Sequence, residues 1–450
     1  MKQLSELMRG RVVFAGDADM PKASRNIYGG FGLEPAAVAY AEDAADVAAA
    51  IRFARDNELE IAVRGGGHSP AGHSLSDGGL VLDVSAMDSM EVDLASRTAT
   101  VGPGRKAGPY SAQAAKHGLV TGFGDTGSVS VGGITLAGGA GFLARSHGLA
   151  IDSLLEAHVV TAGGDVLVAS DKQNPDLFWA IRGGGGNFGV VTQLTFRLHK
   201  LAQVTGGVFA MPASSDAIRD FAKASADAPR SLSAIASVMV APPMPMIPEP
   251  LHGTPVLIAF MCDSGDPAQA DAVFRPFREL GEGVTDTIAP IPYMGMFFPD
   301  PGDENAPAPV VAIANAMVNS IDGVADAVMD SIAHPVGVMQ MFSFRILGGA
   351  VADVPHHATA YSHRDKLIMA NAAAMVADPG DVPAAQSAVD GLIDLLPADR
   401  GAYPGFLGAA DATVTERIYA ADTWTRLRDI KRTYDPDNVF HRNHNVAPAA

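Results

Sequence analysis

From Ala45 to Asn57 apolar and charged residues recur at helical spacing, and the short apolar run "IAV" after them fits a buried strand. With the apolar "AAVAY" before them they predict strand, helix, strand and then a glycine loop opening at Arg64. From "LVLDVSAM" through "MEVD" and "TATVGPG" the period drops to two, with turn residues between the runs, which predicts short strands. "AGPYSAQAAKHGL" reads as a helix ended by Gly118. "HVVTAGGDVLVAS" predicts a hairpin about Gly163 and Gly164, and "NPDLFWAIRGGGGNFGVVTQLTFRL" a helix, a glycine loop and a strand.

Near residue 200 the glycine clusters give way to alternating strands and Ala/Asp-rich helices such as "SSDAIRDFAKASADAP" and "PAQADAVFRPFREL". Two Pro/Met-rich loops, "APPMPMIPEP" and "IPYMGMFFPDPGDENAPAP", interrupt them. A chain of 450 residues exceeds what one core usually serves, so two domains are expected, residues 205–400 forming the second. The stretch "WTRLRDIKRTYDPDNVFHRNHNVAP" reads as a helix, a Tyr-Asp-Pro turn and an ordered tail.

Lys plus Arg number 32 against 50 Asp plus Glu, a formal charge of -18. That balance disfavours nucleic acid or an anionic membrane as the main partner and favours a small-molecule substrate. Cys262 is the only cysteine, which excludes an internal disulfide. The opening "MKQLSELMRGRVVFAG" lacks the apolar core of a signal peptide, and no later run is long enough to span a bilayer, so a soluble, cytoplasmic protein is expected.

Three glycine clusters adjoin predicted strands, at 65–67, 132–141 and 183–186. Glycine lets main-chain N–H groups approach an anion closely, and successive N–H groups form a nest for a pyrophosphate. Three such clusters point to one large phosphate-bearing ligand touched from several sides, against the plainer reading of three turns. The string "GGGNFG", Gly184 to Gly189, matches G-x-G-x-x-G, but a helix precedes it and a strand follows. That is the reverse of the order a dinucleotide-binding strand-to-helix turn needs. His68 and His73 lie five apart with no carboxylate or third histidine nearby to complete a metal set, so no metal site is expected.

The stretch "VRGGGHSPAGHSLSDGGLVLDVSAM" resembles the covalent attachment loop of the vanillyl-alcohol-oxidase superfamily, in its berberine-bridge-enzyme-like branch. "VGGITLAGGAGFLARSHGLAIDSLL", "LFWAIRGGGGNFGVVT", "GGAVADVPHHATAYSHRD" and "YDPDNVFHRNHNVAP" resemble further marks of that family, in family order and over most of the chain. Among bacterial members the chain is similar to 6-hydroxy-D-nicotine-oxidase-like proteins. The resemblance implies an α+β fold of two domains. Residues 1–204, completed by 401–450, would form a PCMH-type FAD-binding domain, and 205–400 a substrate domain of antiparallel sheet covered by helices.

It further implies FAD bonded at the flavin 8α carbon to His68, with Arg64, Gly65, Gly66, Gly67, Ser69 and His73 around it. Gly132, Gly133, Gly138, Gly139, Gly189 and Val190 would line the cofactor, and Asn443 and Asn445 would return from the tail to its ring system. Members with a second covalent link carry a cysteine where this chain has Thr126, so attachment through His68 only is implied. Val129 falls where the family controls oxygen access, and a valine resembles the permissive form; packing in the core is its plainer role. The function implied is an oxidase that takes hydride from an alcohol or amine C–H to flavin N5 and is reoxidised by O2, giving H2O2. A dehydrogenase with another acceptor, or a flavin-holding protein without turnover, are the alternatives.

Many relatives carry a base in a Y-x-N-Y stretch, which here reads "YPGF", with Gly405 and Phe406 in place of the asparagine and tyrosine. Substitutes are sought on "MQMFSFRILGGA", whose alternate residues share a face, so Ser343 and Arg345 are candidates. Arg345 stays protonated and suits orienting a carboxylate or stabilising negative charge, or equally an ion pair with a neighbouring acid. Tyr403 and Tyr293 are further candidates, with packing as their plainer role.

Overall fold

Strands Ala37–Tyr40, Leu80–Asp83 and Ile61–Arg64 pair in parallel, which requires a crossover between them, and Val12–Phe14 joins the edge in antiparallel sense. The crossover is the helix Ala44–Asp56. Asp43 caps its start by accepting from the amides of Ala45 and Asp46, and Val47, Ala50, Ile51 and Ala54 bury one face against the sheet. This small sheet delivers Ile61–Arg64 so that the first glycine loop begins at the carboxyl end of a parallel strand, where ligands gather in such sheets. The computed structural model describes residues 2–243, 247–281, 283–298, 307–408 and 412–450; parts of both Pro/Met-rich loops lie outside them.

A second, antiparallel sheet runs in the order Met90–Asp93, Thr98–Val101, Val190–Arg197, Leu154–Val160, Val166–Ser170. Its hairpin turns at Gly164, where φ is +82 and a side chain would strain the backbone. The helix Ala107–Ala115 is followed by Gly118 at φ +65, and the helix Pro175–Ile181 precedes the strand Val190–Arg197 in the order read from the sequence.

Among the described residues the third sheet has eight antiparallel strands between Val204 and Val376. Helices Ser215–Asp227, Ala270–Arg278, Ala325–Ala333 and Val382–Asp394 cover one face, and their Phe221, Phe274, Phe277, Val328 and Val389 join its core. Each fully buried Phe or Val stabilises that face by about 1.5–3 kcal/mol. Along the strand Met339–Ile346, Phe342, Phe344 and Ile346 enter this core. Period two therefore turns Met341, Ser343 and Arg345 to the opposite face, and Arg345 reaches the Ala140 carbonyl of the first part of the chain.

The tail folds back onto the first two sheets. In the helix Ala421–Tyr434, Leu427 and Ile430 pack with Leu177 and Phe178. Lys431 is 0% exposed, and its three N–H bonds go to Asp435 (2.6 Å), the Asn187 carbonyl (2.7 Å) and the Phe440 carbonyl (3.0 Å). A buried cation is tolerated when, as here, it is both paired and fully hydrogen-bonded. The Asn187 side chain donates to the Gly184 and His444 carbonyls and accepts from the Val446 amide, so it stitches the tail to the last glycine loop. No helix among the described residues is long and apolar enough to cross a membrane.

Candidate active site

The glycine loops, the tail and the flank of the long sheet enclose a cavity of about 360 Å³, within the range of small-molecule and cofactor sites. Its first wall is main chain. Gly65, Gly66, Gly67, His68 and Ser69 line it, and this loop lies hard against the turn before the helix Val131–Leu136. A Cβ on Gly65 would collide with the Ser130 hydroxyl, one on Gly66 would sit 3.0 Å from the Ser130 amide nitrogen, and Gly67 adopts φ +68. At Gly133 a Cβ would meet only the Ser130 hydroxyl, 3.9 Å away, and at Gly186 nothing within 4 Å. The backbone there is open to a ligand.

Polar atoms on the same wall lack partners within the protein. His73 Nε2 and Asn443 Oδ1 are buried at the cavity without a hydrogen bond, a cost of about 1–3 kcal/mol each unless a ligand supplies one. Burial, then the neighbouring His444 and Arg442, pulls the His73 pKa down to about 3, so its ring is neutral at neutral pH. The His73 ring stands edge-on to His444, with centroids 4.7 Å apart, and Arg442 is held at the rim by donating to the Leu75 carbonyl at 2.7 Å. Main-chain amides bared by glycine, one cation and orphaned polar atoms are the donor set that FAD needs, and these residues fit it.

The second wall is side chain. Arg345 donates to Asp125 Oδ2 at 2.9 Å and to the Ala140 carbonyl at 3.0 Å, and its guanidinium lies 4.9 Å from the Phe406 ring centroid. Thr126 Oγ1 donates to Asp125 Oδ1 at 3.0 Å. The ion pair is nearly sealed, with side-chain exposures of 8% for Arg345 and 13% for Asp125. Tyr403 accepts from the Gly139 amide at 3.2 Å, and its backbone is pinned by Asn315, which donates to the Tyr403 and Phe406 carbonyls. Burial raises the Tyr403 pKa, against the lowering by amide hydrogen bonds and Arg345; burial and the Asp125 charge raise that of Tyr28. Both phenols keep their protons at neutral pH, so neither is a ready base.

Of the residues singled out in the sequence, Gly65–Ser69, His73, Thr126, Val129, Gly132, Gly133, Gly189, Val190, Asn443, Arg345 and Tyr403 meet at this cavity. Others fall elsewhere. Arg64 turns away into a buried ion pair with Asp83, its register partner on the adjacent parallel strand. Gly138 packs against the Tyr361 ring and Gly139 against Ala150, behind the wall. Asn445 is off the cavity, and Ser343 lies beside Asn371, one register step along the sheet from Arg345. Tyr293 is buried with Cys262 in a neighbouring apolar cluster. Sequence reasoning missed Asp125, Tyr28, Arg442 and His444. For Asp125 a signal existed, a lone charge inside the glycine-rich "GFGDTGS"; Tyr28, in the irregular entry segment, offered none. Among the described residues no three His, Cys, Asp or Glu side chains gather to hold a metal.

Comparison with known proteins adds independent findings. A family model described as FAD binding domain matches residues 35–170, and one described as berberine and berberine like matches 406–447. The chain is 33% identical to (R)-6-hydroxynicotine oxidase of Paenarthrobacter nicotinovorans, covering 98% of this chain and 97% of that protein. It is 29% identical to an uncharacterised FAD-linked oxidoreductase of Bacillus subtilis (strain 168), over 99% of both. The crystal structure of 6-hydroxy-D-nicotine oxidase from Arthrobacter nicotinovorans superposes with a TM-score of 0.87 at 26% identity, covering 98% of each chain. Glucooligosaccharide oxidase from Acremonium strictum, which carries a 6-S-cysteinyl, 8α-N1-histidyl FAD, shares the fold with a TM-score of 0.87 at 23% identity, over 99% of this chain and 98% of that one.

Proposed function

We propose that this chain, which belongs to the berberine-like family of FAD-linked oxidoreductases, is an oxidase that holds FAD by one covalent bond, to His68. Its α+β architecture is the two-domain PCMH-type fold of that family. We assign residues 1–204 and 401–450 to the cofactor and 205–400 to the substrate. The substrate is a small organic molecule oxidised at an alcohol or amine C–H, and O2 is the electron acceptor.

The observation that carries this reading is His68 at the tip of a loop of glycines, opening into a cavity walled by bare amides. FAD, when bound, supplies a two-electron acceptor that amino-acid side chains lack. The chain's own residues do the rest. The amides of Gly65–Gly67 and Gly133 would face the pyrophosphate, Arg442 would add a cation, and the tail closes the site with Asn443. Thr126 stands at the cavity where a second link would need a thiol, and Cys262 is buried in the long sheet. Tyr403, Pro404 and Phe406 form an apolar ledge that shields the reacting carbon from water, and the small Val129 side chain leaves a path for O2.

Acid precipitation of the purified protein tests the attachment. Yellow colour should stay in the pellet and be lost to the supernatant in His68→Ala; colour released from the unaltered protein overturns the covalent bond. Anaerobic mixing with a panel of amines, alcohols and sugars, followed by air, tests the reaction. Bleaching and recovery within seconds with release of H2O2 supports an oxidase. Slow recovery assigns another acceptor, and no bleaching by any compound assigns a protein that only holds flavin.

A further inference from the structure

The ion pair at the cavity carries a function that none of the relatives' names assigns. Resting on the flavin reading above, we infer that Asp125 is the catalytic base, and that Arg345 is the positioning cation that keeps the site electrically neutral when the cofactor is reduced.

Arg345 reaches Asp125 from the strand Met339–Ile346 and Thr126 from its own loop, each by a hydrogen bond. The phenols of Tyr28, Tyr293 and Tyr403 make no hydrogen bond to it but lie near enough for its charge to help raise their pKa. Arg345 cannot give up its proton, and the three phenols, raised by burial, already hold theirs. Among these groups only the carboxylate has room for a proton. Arg345 donates to its Oδ2 and Thr126 to its Oδ1, and an ionised carboxylate has about four acceptor positions. Asp125 lines the cavity, so the remaining positions are available to a substrate.

The step balances in atoms, electrons and charge. The substrate's hydroxyl or ammonium X–H bond breaks and an O–H bond forms on Asp125. The adjacent C–H bond breaks with its electron pair passing to the flavin, and the C–X bond becomes double. Asp125 and Arg345 begin with opposite charges that cancel. They end as a neutral acid and a cation, while the flavin has gained one negative charge. The sum in the nearly sealed corner does not change, which spares it the cost of an uncompensated buried charge. Arg345 is thus the partner of a carboxylate before the transfer and of the reduced cofactor after it.

No substrate is needed to test this. If Asp125 takes up a proton whenever the site is reduced, two protons accompany two electrons; without it, one does. One proton per two-electron couple corresponds to about 30 mV per pH unit. In yellow holoenzyme titrated electrochemically between about pH 6 and 8, the midpoint potential should fall by about 60 mV per pH unit, and by about 30 mV in Asp125→Asn. Asp125→Glu should restore the steeper slope. Equal slopes in the unaltered protein and Asp125→Asn overturn the proposal while leaving the flavin reading intact, and pass the role to another group such as His444 on the other wall. Protein that binds no flavin overturns both.

Sulfite, which adds to flavin and leaves it negatively charged, reads the cation separately. Its affinity should drop at least about tenfold in Arg345→Met, recover in Arg345→Lys, and rise in Asp125→Asn, where the guanidinium loses its counter-charge. Unchanged affinity in Arg345→Met overturns the role given to Arg345, even where Asp125→Asn fails to fold.

Discussion

The two walls of the cavity are built by different rules. One, from Gly65–Ser69, Ser130–Gly133 and Gly185–Gly189, offers main chain from three local motifs. The other gathers Tyr28, Asp125, Arg345, Tyr403 and Phe406, side chains spread over most of the sequence. The first recognises by the absence of atoms, since any Cβ there meets protein or displaces ligand. The second works through charge and hydrogen bonds and tolerates changes of shape. A fold can therefore keep the first wall and vary the second, so that one cofactor site can serve different substrates.

The sharpest way to break this contrast is Gly65→Val. The added side chain collides with Ser130, and we expect flavin content, read from the ratio of visible to ultraviolet absorbance, to fall more than about tenfold, because overpacking costs about 1–3 kcal/mol before any ligand contact is lost. A fully yellow variant would show that the main-chain wall is not steric. Arg345→Met, on the other wall, should keep a full complement of flavin yet slow its anaerobic reduction by about 100-fold, in the range of a lost acid–base or electrostatic contribution. If flavin content falls with it, the walls are not separable.

A smaller effect follows from His73. Its pKa in the folded protein, about 3, lies below the ordinary 6.5, so between those values the unfolded chain binds more protons. Stability contributed by this group is therefore complete above about pH 6.5 and is lost as pH falls through that window, by up to about 1.4 kcal/mol per pH unit. Urea unfolding at pH 7 and pH 5 should show the loss, and His73→Asn should flatten it. The least effect is expected of Phe406→Tyr. Because the Arg345 guanidinium already covers that ring, a restored hydroxyl should alter the rate of flavin reduction by less than about threefold. A gain of tenfold or more would mean that the family's tyrosine still has a place here.

What the sequence disclosed follows the same division. Single strands and helices of the first two sheets, the hairpin at Gly164 and the loop at His68 were legible because each is encoded locally by period, glycine or cap, whereas the pairing of Thr98–Val101 with Val190–Arg197 was not. Glycine alone could not say what it faces. Gly133 opens on the cavity, whereas Gly138 and Gly139 accommodate Tyr361 and Ala150, a distinction made only by packing. Arg64 belongs by position to the attachment loop, but strand pairing sets it opposite Asp83. Alternation placed Ser343 and Arg345 on the correct face; two residues along a strand, about 7 Å, then separate the one at the cavity from the one beyond it. An ion pair was one reading of Arg345, but nothing in the sequence named Asp125, 220 positions away, as its partner.

The stitching of the tail by Lys431 and Asn187 has a topological meaning. Asn443 and His444 wall the chamber that His68 opens, although about 375 positions lie between them. Detaching the tail should therefore unroof the chamber, and the yellow expected of flavin-loaded protein would gauge the fraction of molecules with the tail in place.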